Sequence, residues 1–256
     1  MKKSILRFLL ILCGLQLFAV SSADKNNNSQ TGETKMISFA SDSFKIKDKE
    51  LKIYFIGHGT LLMDYAGKII HIDPVSAEAD YSELPAADLI LITHQHGDHL
   101  DPATVKKITK SSTIIIADGE SAKKLEDAQV MKNGDTKTVI GIGIEAVPAY
   151  NTTAGRSNFH PKGRDNGYIL NFDGFRVYVA GDTEDTPEMK ALKNIDVAFL
   201  PMNQPYTMLP EQVAAAARAI KPAVLYPYHY GDTDTAQLVR LLKDDKDIDV
   251  RIRELQ

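Results

Sequence analysis

Asp88-Leu89-Ile90-Leu91-Ile92-Thr93-His94-Gln95-His96-Gly97-Asp98-His99 joins an unbroken apolar run to a loop that holds three histidines and an aspartate within six positions. A run that is apolar at successive positions is hydrophobic on both faces, so it reads as an interior strand of a covered sheet. The loop that leaves the carboxyl end of such a strand is a common seat of chemistry. Imidazole and carboxylate are the usual ligands of catalytic zinc-type sites, and four of them crowd this one loop. The stretch therefore points to a metal site at the mouth of a buried strand.

Upstream, Leu51–Ile56, Thr60–Tyr65 and Lys68–Ile72 read as strands, with Ala66-Gly67-Lys68 turning the last two into a hairpin. Downstream, Pro102 to Lys110 reads as a helix capped by Asp101, followed by a strand at Thr113–Ala117 and a helix at Glu120–Asp127. Strand signals then dominate: Thr136–Ile140, Ile142–Ala149, Tyr168–Phe172 and Phe175–Ala180, with Asp173-Gly174 as a tight hairpin turn. The rest alternates. Helices are expected at Pro187–Lys193, Pro210–Ile220 and Asp234–Leu242, and strands at Asp196–Leu200, Ala223–Tyr226 and Ile248–Arg253. The pattern describes one mixed α+β domain without tandem repeats.

The chain has 256 residues, 43% hydrophobic and 25% charged, enough for one large domain with a substantial core. Lys2, Lys3 and Arg7 precede a mostly apolar run from Phe8 to Val20, and Ser21-Ser22-Ala23 offers small residues for cleavage. Residues 1–23 read as a secretory signal peptide, the run being short for a membrane span. Periplasmic or secreted localisation follows, with no stable membrane association after cleavage. Cleavage would take the formal charge from −4 to −7, because Lys2, Lys3 and Arg7 leave and no acidic residue does. A net acidic chain without a basic run is not built for nucleic acid. The single cysteine, Cys13, lies within the signal, preceded by Leu12 where a lipoprotein would carry a small residue. Residues 24–47 are polar and read as a flexible linker, with the domain at 48–256.

The His-x-His-x-Asp-His spacing resembles the metal-binding motif of the metallo-β-lactamase-fold superfamily of metallo-hydrolases, and further elements follow in that superfamily's order. Gly181-Asp182-Thr183, after a strand, resembles its Gly-Asp-Thr motif. Pro227-Tyr228-His229-Tyr230 resembles the terminal Pro-x-His-Tyr motif of one branch, and Gly57-His58-Gly59-Thr60 a Gly-His motif of the lactonase-like and phospholipase-D-like members. The resemblance implies a four-layer αββα sandwich over about Leu51 to Arg253 and two divalent metal ions. It assigns His94 and His96 to one ion, Asp98, His99 and His229 to the other, and Asp182 to both. Where several relatives carry an Ala-x-His-Ser sequence, this chain reads Ala149-Tyr150-Asn151-Thr152. The third histidine of the first ion is then His160, if its loop bends back, with Asn151 or water as the alternative.

Asp73, in Ile72-Asp73-Pro74, resembles the superfamily's structural aspartate and is expected to orient a ligand or the motif loop. His71 reads as a core histidine. Arg156, Lys162 and Arg164 could receive an anionic substrate or lie solvated on the loop. His58 is assigned to the active site, beside Asp98, or else it satisfies a backbone carbonyl. The resemblance implies hydrolysis of a small-molecule ester, a lactone or phosphodiester, by a hydroxide bridging two ions, with His58 or bound water assisting the leaving group. Zinc is the expected metal, with manganese, iron and nickel as alternatives. A β-lactam or thioester hydrolase, an oxygenase on the same scaffold and a non-catalytic metal-binding protein are the competing readings.

Overall fold

The computed structural model describes residues 39–256. The stretch at 1–23 expected as a signal peptide, with Cys13, lies outside the described residues. The amino-terminal sheet runs β1 (Ser41–Ile46), β2 (Lys49–Gly57), β3 (Thr60–Tyr65), β4 (Lys68–Ile72), β5 (Ala87–Ile92), β6 (Thr109–Ala117) and β7 (Gln129–Val130) in spatial as well as chain order. The carboxy-terminal sheet holds β8 (Thr136–Val139), β9 (Ile142–Ala149), β10 (Asp165–Phe172), β11 (Phe175–Val179), β12 (Val197–Pro201), β13 (Val224–Tyr228) and β14 (Asp249–Val250), also in sequential order. In each sheet antiparallel hairpins come first and parallel strands follow. The helices α1 (Pro102–Ile108), α2 (Gly119–Ala122), α3 (Pro187–Lys190), α4 (Pro210–Ile220) and α5 (Thr235–Leu241) supply the covering layers.

The sandwich follows from which side chains each strand buries. In β5, Leu89 and Leu91 enter the core shared with the second sheet, while Ile90 and Ile92 pack with Val105 and Ile108 of α1. A strand covered on both faces must be apolar throughout, as this one is. Phe55 meets Tyr226 at 5.1 Å and Tyr65 meets Phe172 at 4.9 Å between the sheets. Val213, Ala217 and Ile220 of α4 and Leu238 of α5 close the other side. The expected α+β four-layer αββα architecture is the one observed.

The turns obey local chemistry. Ala66-Gly67 and Asp173-Gly174 both take positive φ at each position, the twist that a two-residue hairpin requires. Asp101 caps α1 through the backbone N–H groups of Ala103 and Thr104. Several elements are shorter than expected: α2 ends at Ala122, and β14 covers only Asp249–Val250.

One boundary is corrected. The segment expected as a linker to residue 47 contains β1, which pairs with β2 from Ser41↔Tyr54 to Ile46↔Lys49. Its polar side chains concealed it, because β1 is an edge strand with much of its surface in solvent. Asp42 anchors it, accepting from Arg253 at 2.7 Å and Arg251 at 3.1 Å. Phe44 packs on Phe175 with ring centroids 5.4 Å apart. The ordered domain therefore begins before Asp48.

Candidate metal centre

The site forms where the loops after β4, β5, β9, β11 and β13 meet the His58 turn between β2 and β3. Asp73 is its internal frame. Its Oδ1 accepts from the Thr93 N–H at 2.8 Å, its Oδ2 accepts from Thr93 Oγ1 at 2.6 Å, and its carbonyl accepts from Thr60 Oγ1 at 2.7 Å. These bonds fix the start of the histidine loop against β4. Asp73 thus plays the orienting part expected of it.

The same contacts assign ring tautomers. Thr93 Oγ1 gives its proton to Asp73, so at 3.0 Å from His94 Nδ1 it accepts, and Nδ1 carries the hydrogen. His99 Nδ1 donates to Asp73 Oδ2 at 2.7 Å, and His160 Nδ1 donates to Asp165 Oδ2 at 3.0 Å. In each ring, when neutral, Nε2 has a lone pair aimed inward, the arrangement that prepares imidazole to bind a metal.

Two clusters of donor atoms result, each with all its atoms within 4.8 Å of one another: His94, His96, His160 and Asp182, and His58, Asp98, His99 and His229. Asp182 faces both. Its Oδ2 lies 3.9 Å from His94 Nε2, 3.4 Å from His160 Nε2 and 3.3 Å from His229 Nε2, and its Oδ1 lies 3.4 Å from His99 Nε2. His229 Nε2 also lies 3.5 Å from Asp98 Oδ2. Every candidate ligand from the sequence is brought to one place.

A divalent cation fits this donor set. His99 Nε2, Asp182 Oδ1 and His229 Nε2 are buried without a hydrogen-bond partner and face one another. Buried polar atoms of this kind are costly unless something binds them, and several converging on one space imply a positive ion. Burial would raise the Asp182 carboxyl, but His229, His99 and His94 outweigh it and hold the group well below the usual carboxylate range. Burial drives His94 well below the ordinary histidine value, with His99 adding to the effect. Burial also opposes protonation of His99, yet Asp182 and Asp73 outweigh it and raise its pKa.

Local backbone conformation supports the site at some cost. His58, Asp73 and His229 all have left-handed φ, at 46°, 47° and 47°. Such residues cost about 1–3 kcal/mol each and persist where the surroundings over-determine them. Two glycines are required by space. A Cβ on Gly59 would lie 2.6 Å from the His99 ring, and Gly181, at φ +65°, would bring one 2.9 Å from the Asn166 carbonyl.

The long excursion from Asn151 to His160 is closed by a backbone bond from Asn151 N to the His160 carbonyl at 2.9 Å. His160 takes its place in the cluster with His94, His96 and Asp182, and the Asn151 side-chain amide donates to the Tyr206 carbonyl at 2.7 Å. Glu184 ties the excursion down, accepting from Thr152 N, Thr152 Oγ1 and Thr153 N at 2.7–2.8 Å. The basic residues nearby have internal partners. Arg156 pairs with Glu184, Lys162 with Glu188 and Arg164 with Asp165, so they are not a free anion-binding set. His71 is a core histidine, fully buried, with Nε2 3.0 Å from the Pro85 carbonyl.

Asp165, Glu184 and the Gln256 carbonyl are the participants that sequence reading missed. Asp165 follows His160 by five residues and carried a usable hint, because a ligating histidine needs a partner for its outer nitrogen. Gln256 left none, since a backbone carbonyl has no residue signature.

Fold and site together define a metal-dependent hydrolase scaffold with a His/Asp metal site. Residues 52–229 match the family model of the beta-lactamase superfamily domain. The chain belongs to the metallo-β-lactamase superfamily of metal-dependent hydrolases. It is 33% identical over 217 residues to a UPF0173 metal-dependent hydrolase of Thermococcus kodakarensis, spanning 77% of this chain and 95% of that one. The crystal structure of a metal-dependent hydrolase from Parabacteroides distasonis aligns at 62% identity and a TM-score of 0.83, covering 85% of this chain and all of the other. The metallo hydrolase Igni18 of Ignicoccus hospitalis aligns at 26% identity and a TM-score of 0.67, covering 80% and 95%.

Proposed function

We propose that the protein hydrolyses an ester-type bond in a small molecule, a lactone or a phosphodiester, with two divalent ions held by the clusters on either side of Asp182. The observation that carries this reading is the position of Asp182, a buried carboxylate within 3.9 Å of a histidine nitrogen from each cluster. Two ions sharing such a ligand supply, when bound, an activated water and a clamp for the oxygen under attack.

The chain's own residues divide the remaining work. His94, His96 and His160 surround the first position, and Asp98, His99 and His229 the second. Asp73 and Asp165 hold the outer nitrogens of His99 and His160, so the inner ones stay aimed at the centre. Asp98 is half exposed while the histidines behind it are buried, which makes its side the face open to substrate. Phe159, next to His160, packs edge-on against the half-exposed Tyr206 at 5.0 Å, offering apolar surface for a non-reacting part of the substrate.

The nitrogen-rich donor set favours zinc, with manganese, iron or nickel as the other outcomes of metal analysis. Export by the amino-terminal segment would place the activity outside the cytoplasm. The test is metal quantification on the purified protein, followed by lactone, phosphodiester, thioester and β-lactam substrates with each metal. Two ions per chain and turnover of a lactone or phosphodiester are expected. Turnover confined to thioesters or β-lactams, or tight metal binding with no turnover, would overturn the reading.

A further inference from the structure

His58 touches the second cluster on one side and the main-chain oxygen of Gln256 on the other. Its Nδ1 lies 2.7 Å from the Gln256 carbonyl oxygen, and its Nε2 lies 3.3 Å from Asp98 Oδ2. A carbonyl can only accept, so Nδ1 carries the hydrogen and neutral His58 turns a lone pair towards Asp98. Two acceptors facing each other at this distance need a positive charge between them, supplied by a proton on Nε2 when the site is metal-free or by a metal ion when one is bound. The ring is also committed by its surroundings. It lies 3.8 Å, centroid to centroid, from His229, whose backbone N–H donates to the His58 carbonyl at 3.2 Å.

The carbonyl that fixes this tautomer is itself held firmly. Tyr230, next to His229, donates its hydroxyl to the Arg253 carbonyl at 2.7 Å, and its backbone N–H meets the Leu255 carbonyl at 3.4 Å. Leu255 is fully buried. Arg253 reaches across to Asp42 of β1. The tail therefore presents the Gln256 carbonyl to His58 much as Asp73 presents its carboxylate to His99. The parallel extends to the inner atoms, because Nε2 of His58, His99 and His229 all lie within 4.0 Å of Asp98 Oδ2.

We propose that His58 is a direct ligand of the second metal ion, with the Gln256 carbonyl as its outer hydrogen-bond partner. This rests on the two-ion reading above and replaces the expected leaving-group role, since both ring nitrogens are then engaged.

The test compares the full-length protein with His58→Asn, loaded with cobalt(II). Asparagine tolerates the left-handed backbone at this position, and its amide nitrogen stands roughly where Nδ1 stands, so it keeps the tail contact while removing the inward atom. A circular dichroism spectrum and melting curve of the variant establish that it folds. One of the two ions should lose at least the roughly tenfold affinity that loss of an outer partner alone costs, read by chelator competition, with a changed cobalt absorption spectrum. The other ion should be unaffected. Two ions with unchanged affinity and spectrum in His58→Asn would overturn the ligand role alone. A wild-type protein that takes up a single ion would overturn the two-ion reading and this one with it.

Discussion

Asp73 Oδ2 and His99 Nδ1 lie 2.7 Å apart with both side chains completely buried, so one carboxylate fixes a ligand's ring and, through Thr93, the start of the loop that carries three other donors. Asp73→Asn keeps the left-handed backbone and the shape but sacrifices one of the two accepting oxygens. Metal affinity should fall about 10–100-fold, measured by chelator competition. Unchanged affinity would show that the ring is held by packing alone.

Glu184 does the same service for the His160 loop from a distance. It is fully buried, and its carboxylate receives three bonds from Thr152 and Thr153 and one from Arg156. Glu184→Gln cannot accept all of them, and losing charge-assisted bonds should cost about 1–3 kcal/mol of stability. Amide hydrogen exchange should rise within residues 151–160 and stay unchanged in β5. Protection equal to the wild type across that loop would refute the anchoring role.

The clustered part of the site was legible in the sequence because strand ends and ligands are adjacent there. The apolar run before His94, and those before Asp182 and His229, announce a strand and deliver a side chain at its end. His160 was harder to place. Eight residues lie between it and Asn151, and its position depends on Glu184 and on a backbone bond, neither of which has a periodic signal. The contact between His58 and Gln256 lies beyond pattern reading altogether, since it joins a turn to a backbone carbonyl 198 positions away. β1 was missed for a related reason, because an edge strand half in solvent has no need of an apolar run.

His71 gives the fold a pH dependence that can be separated from the metal site. Burial lowers its pKa from 6.5 to about 4, only partly offset by the Pro85 carbonyl. A histidine whose folded value lies below its unfolded one contributes stability fully present above about pH 6.5 and lost as pH falls towards 4. Over that window the loss amounts to about 3 kcal/mol. The gap between denaturant midpoints of the metal-free protein at pH 7.5 and 5.0 should therefore narrow when His71→Gln removes one titrating group, with His94 accounting for part of what remains. An identical pH slope in the variant would exclude His71 as the source.

Asp182 is the carboxylate that reaches both clusters, so its removal should act on both at once. Asp182→Asn retains the volume but brings one neutral oxygen where two charged ones stood, among the rings of His94, His99, His160 and His229. If each ion depended on a separate set of ligands, the variant would keep one of them at wild-type affinity. Because the carboxylate is shared, the affinity of both ions should fall together, and metal-dependent turnover should drop by about three orders of magnitude or more, a loss of about 4 kcal/mol in transition-state stabilisation. Metal-to-protein ratios and turnover measured on the same preparations separate the cases. A variant that still holds one ion at wild-type affinity would show that Asp182 serves a single cluster.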